Sequence, residues 1–163
     1  MKRFTALMFA LCMTLCLATP AMAADITPNS EQQAGTMEVS YTTTESYTVT
    51  IPADVIVTTA GVNADLTAKN LLLASGHTLK VTAESTNGYK LKAGDSAIAY
   101  TCTVGDKTLS STEKTVLTVS AGTIEDQTAT MTFKTTTDAI NAATLAGKHT
   151  DKLTFTCSVE SAG

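Results

Sequence analysis

From Met37 onward apolar and polar residues alternate at a period of two with few interruptions. That pattern suits a chain whose sheets bury one face and wet the other, and little else. Threonine fills most outward positions, as expected where a β-branched polar side chain covers a solvated sheet face. The closing stretch, AGKHTDKLTFTCSVE over 146–160, is the clearest case. Leu153, Phe155, Cys157 and Val159 share one face, while Thr154, Thr156, Ser158 and Glu160 share the other.

The same alternation places the other strands. Val39 and Tyr41 share a face, and Tyr47, Val49 and Ile51 share another, with a turn near Thr44 and Glu45. Pro52 ends that run because it cannot donate to a ladder. A short strand is expected over 54–58 and a turn over 61–63. Residues 64–76 predict a strand to about Asn70 and then a loop.

His77, Leu79, Val81 and Ala83 form the next inward row, and Asn87-Gly88 follows as a type I′ hairpin signal that would return Tyr89 and Leu91 against it. After a turn at Gly94-Asp95, the inward residues are Ile98, Tyr100, Cys102 and Val104. Beyond Gly105-Asp106, a short piece around Leu109 leads to inward rows at Thr115, Leu117 and Val119, then Ala129, Met131 and Phe133. Asp138 is placed to cap one helical turn through Ala142 in the linker 135–147. Eight or nine short strands with almost no helix predict an all-β fold, an immunoglobulin-like antiparallel β-sandwich over 37–163.

Ahead of that domain, Lys2 and Arg3 lead an apolar run from Phe4 to Ala18, followed by Pro20 and Ala21-Met22-Ala23. This is the pattern of a secretory signal peptide over 1–23, and the run is shorter than the ~20 residues that span a bilayer. Cys12 and Cys16 would leave with it, and no stable membrane insertion is expected after cleavage. Residues 24–36 are polar, hold Pro28 and Gly35, and read as a flexible leader.

Loss of Lys2 and Arg3 takes 11 basic residues to 9 against 15 acidic ones, a net charge of −6 with no arginine left. Such a chain is a poor partner for nucleic acid, whose phosphates need clustered cations.

Few residues offer chemistry. Cys102 and Cys157 both fall on inward rows, and in an exported chain two such cysteines predict a disulfide, closing a loop that is worth about 4 kcal/mol in the chain-entropy model. His77 and His149 begin strands, with no metal or nucleophile spacing around them. Asp95, Asp106, Glu125 and Asp126 sit at turns, where carboxylates serve as turn formers. No catalytic residue, cofactor site or metal site is expected. Glycan binding needs aromatic platforms, and the chain has no tryptophan, with Tyr41, Tyr47, Tyr89 and Tyr100 all on expected inward rows.

The stretches YTVTIPADV (47–55), SGHTLKVTAESTNGYKL (75–91) and LAGKHTDKLTFTCSV (145–159) together resemble small exported bacterial β-sandwich proteins. The closing piece is similar to the end of WxL-type wall-associated domains, with Phe155 at the place of a tryptophan, and to the last strand of spore-coat-U-like and fimbrial domains. The resemblance implies a secreted or cell-wall-associated protein of Gram-positive type. Its expected partners are a cell-surface or matrix protein, a glycan, or further copies of itself joined through edge strands.

Overall fold

The computed structural model describes residues 37–161, in two units divided after Tyr41. The expected signal peptide and leader lie outside the described residues. In the first unit, residues 37–41 form no strand, and Met37, Val39 and Tyr41 are exposed. The strand expected there is absent, since alternation stabilises a strand only where a neighbour takes its backbone groups.

The second unit is an antiparallel sandwich. Its strands are β1 (Ser46–Thr50), β2 (Val62–Leu72), β3 (His77–Ser85), β4 (Lys90–Ala93), β5 (Ser96–Val104), β6 (Lys107–Thr108), β7 (Thr115–Ser120), β8 (Gln127–Thr135) and β9 (Leu153–Ser161), with one helical turn, α1 (Thr137–Asn141), before the last. One sheet has six strands in the order β1-β2-β8-β5-β4, with β6 on β5. The other has three, β7-β3-β9. The likeness to an immunoglobulin domain is one of layers; in the second sheet β3 lies between β7 and the closing strand.

The inward rows build two clusters. Leu66, Val81, Ala83, Tyr100, Cys102, Met131 and Phe133 belong to the larger, and Ala68, Leu71, Leu79 and Val119 form the smaller. Leu66 and Met131 are wholly buried, each contributing about 2 kcal/mol through the apolar area it removes from water.

Several local expectations are corrected. Asn87-Gly88 makes no hairpin: β3 pairs with β7 and β9, whereas β4 pairs with β5, so the turn carries the chain from one sheet to the other. Positive φ falls on Gly88 and Tyr89 there, not on the Asn-Gly pair. Gly94-Asp95, by contrast, is a true two-residue hairpin with Ala93 opposite Ser96, and only Gly94 (φ 57°) needs the left-handed region, as a type II′ turn requires.

The segment 54–58 forms no strand and touches the sheet only through a bridge from Thr58 to Lys134. β2 runs two residues past Asn70, whose φ of 54° marks an irregularity that turns Leu71 inward. In β7 the register against β3 skips Val116, and this bulge buries Val116 where Thr115 and Leu117 were expected. Thr136 caps α1 through Ala139 N–H, with Asp138 in the first turn instead of at the cap.

Candidate functional site

β9 is an edge strand. Its ladder with β3 runs from His77 opposite Ser161 to Ser85 opposite Leu153, and among the described residues no strand pairs with its other side. The larger sheet covers its inner face only in part. Leu153, Phe155 and Val159 are half-buried, while Cys157 at the centre is exposed.

This corrects the expected Cys102–Cys157 disulfide, since both cysteines are free thiols. Both do face inward. However, Cys102 sits on β5 within the cluster that also holds Val81, and Cys157 lies one strand further out, directly opposite Val81 on the uncovered edge. Burial pushes the Cys102 thiol up to about 12, and what burial Cys157 has raises its thiol too. A raised pKa leaves little thiolate, so neither is an activated nucleophile.

Beside the first half of β9 lies an open groove of about 1020 Å³. One wall is the strandless segment from Ile51 to Val57, the other is Gly147 to Phe155, and Leu91, Ile98, Tyr100 and Phe133 line its depth. Ile51 is 50% and Ile56 85% exposed, a large apolar surface for the lip of a groove.

A polar post stands in this groove. The Asp151 carboxylate accepts hydrogen bonds from Tyr100 Oη (2.7 Å), Ser85 Oγ (2.5 Å) and the Asn87 N–H (3.1 Å), and Ser85 Oγ in turn accepts the Tyr89 N–H. Burial first, and then the bond to Asp151, hold the Tyr100 phenol well above its ordinary value. Asp151 thereby ties the start of β9 to the crossover after β3. The Tyr89 hydroxyl is buried without a partner among the described residues.

His149, which its sequence context predicts at the start of a strand, lies instead in the loop ahead of β9. It is half-buried, with Nε2 2.9 Å from Ser96 Oγ and Nδ1 3.1 Å from the Gly147 carbonyl. The carbonyl only accepts, so the ring proton is assigned to Nδ1 and Ser96 donates to Nε2. A hydroxyl next to such a base suggests hydrolysis. Yet Ser96 is 1% exposed and its oxygen already accepts the N–H groups of Thr144 and Leu145, leaving no lone pair for attack. The pair pins the linker before β9 to the start of β5.

His77 is far from both, held through Nδ1 by the Glu45 carboxylate at 2.8 Å. Among the described residues no group of three or more metal-ligating side chains comes together, and Asp126 instead pairs with Lys69 at 2.9 Å. No helix among them is long and apolar enough to cross a membrane.

The tyrosines divide, contrary to the expectation that all four face inward. Tyr100 is buried and Tyr89 half-buried, but Tyr47 is 38% and Tyr41 91% exposed, because the strand expected for Tyr41 does not form and β1 is itself an edge. Asp151, Ser85 and the groove wall at 51–57 were missed from sequence. The polar run Lys148 to Lys152 before the last strand was the available signal. No family model, curated protein or solved structure matches the chain.

Proposed function

We propose that the chain is a non-enzymatic, secreted or cell-surface-associated bacterial protein of Gram-positive type that works by adhesion or assembly on surfaces. The observation that carries this reading is the free edge of β9 beside an open groove whose lip exposes Ile51 and Ile56. An unpaired edge offers backbone donors and acceptors to any extended segment, and an adjacent apolar trough supplies pockets for its alternate side chains. The groove is unlike a sugar site, since its deepest aromatic rings, Tyr100 and Phe133, pack against one another at 6.3 Å instead of presenting a face.

The test is retention of the purified protein on bacterial cells, isolated wall and extracellular matrix, beside a glycan array. Ile56→Asp places a charge on the exposed lip and should reduce retention at least tenfold with the circular dichroism spectrum unchanged. Retention on none of these surfaces, or retention indifferent to Ile56→Asp, overturns the proposal. Selective binding on the glycan array alone would favour a secreted glycan-binding module.

A further inference from the structure

The free edge of β9 is self-complementary, and we infer that it pairs with β9 of a second copy across a two-fold axis, joining two three-stranded sheets into one of six strands. This deepens the assembly reading above and rests on it.

The direction of the edge's hydrogen-bonding groups follows from the ladder. Thr86 N–H donates to the Lys152 carbonyl at 2.9 Å, one step beyond Ser85 opposite Leu153. In an antiparallel ladder hydrogen-bonded pairs alternate with non-bonded ones, so Thr154, Thr156, Ser158 and Glu160 turn their backbone groups to β3. Leu153, Phe155, Cys157, Val159 and Ser161 turn theirs outward.

Cys157 is the middle residue of this strand of nine. An antiparallel pairing centred on it sets Cys157 against its own copy once, on the axis, and Phe155 against Val159 and Leu153 against Ser161 twice each. The outward groups then close about ten hydrogen bonds.

The side chains fit the same register. On the inner face, Phe155 of one copy lies across from Val159 of the other, covering surface that the larger sheet leaves half-exposed. On the outer face, Glu160 lies across from Thr154 and diagonal to Lys152 of the other copy, two favourable charge contacts by symmetry, and no like charges meet. An isologous contact of this kind closes on itself and stops at two copies.

The Cα atoms of directly opposed bonded residues lie about 5.5 Å apart, within disulfide range. A small disulfide oxidant such as oxidised glutathione therefore records the contact. The thiolate of one Cys157 displaces one glutathione thiolate to give a mixed disulfide, and the second Cys157 displaces the other. Two protein thiols are oxidised, the added disulfide is reduced to two glutathiones, and the two thiol protons pass to the departing thiolates.

The experiment is sedimentation of the mature chain left by the expected cleavage after Ala23, whose only cysteines are Cys102 and Cys157, over a concentration series under reducing conditions, then intact-mass analysis after oxidised glutathione. The reduced protein and Cys157→Ser should both sediment as reversible dimers. Cys157→Lys, which sets two like charges against each other on the axis, should shift the monomer–dimer midpoint at least tenfold higher with the fold unchanged by circular dichroism. Oxidation should yield a covalent dimer from the native chain and Cys102→Ser, and none from Cys157→Ser.

A monomeric reduced protein at every concentration overturns the inference. So does a dimer indifferent to Cys157→Lys, or cross-linking matched by a cysteine on the opposite edge of the sheet, Thr118→Cys in the Cys157→Ser background. Surface retention by a protein that stays monomeric would sink this inference and leave the proposed function standing; a dimer that adheres to nothing would do the reverse.

Discussion

Asp151 is the residue on which the groove end of the sandwich depends. Its carboxylate accepts the Tyr100 and Ser85 hydroxyls and the Asn87 amide, so it joins β5, the end of β3 and the sheet-to-sheet crossover at one point. Asp151→Ala leaves these donors without an acceptor in a partly buried site, and should cost about 3 kcal/mol. A fall in the urea midpoint at constant slope would report that loss; a midpoint unmoved within error would show that water replaces the carboxylate. Little of this was visible in the sequence, where Asp151 is one polar residue in a run of five ahead of an alternating strand. Alternation identifies which face a residue takes, but says nothing about which distant donors converge on a carboxylate.

At the scale of elements, the loop joining β2 to β3 is clamped from before β1. Glu45 Oε1 accepts the Ala74 N–H at 2.7 Å and the His77 Nδ1–H at 2.8 Å. The Ala74 amide first, and then His77, hold the Glu45 carboxyl below its usual 4.5. A depressed carboxylate pKa means that the clamp is complete above pH 4.5 and is lost as the pH falls through the lower folded-state value. The Ala74 amide resonance should therefore move with a midpoint below 4.5 in an acid titration, and Glu45→Gln should abolish that step.

The strands themselves were legible wherever one face is buried, as Leu79, Val81 and Ala83 or Ala129, Met131 and Phe133 show. The failures have local causes. Val116 is buried through a bulge that periodicity cannot anticipate, and 54–58 has strand-forming residues without a continuous neighbour to pair with. Asn87-Gly88 carries a hairpin composition, yet the partners of β3 arrive from elsewhere in the chain.

At the scale of the whole molecule, the two cysteines among the described residues report on different events. Cys157 is exposed, whereas Cys102 is wholly buried with its thiol raised to about 12. In the reduced protein an alkylating reagent should modify Cys157 readily and reach Cys102 only through opening of the core. Labelling of Cys102 should then slow with rising stability and quicken in Asp151→Ala, as followed by mass spectrometry. Equal rates at the two sites would mean that the sandwich breathes far more than its packing implies.

The pairing of early strands with late ones also sets a timetable for folding. β2 waits for β8, and β3, the centre of its sheet, waits for the last nine residues of the described chain. A polypeptide that has emerged only as far as the crossover after β3 therefore holds two apolar rows with most of their partners still unmade. Such non-local closure is slow, on the order of milliseconds to seconds, and the waiting strands are adhesive throughout. Until β9 arrives, the apolar rows of β2 and β3 stay open to neighbouring chains, so refolding from denaturant at rising protein concentration should lose yield to aggregation.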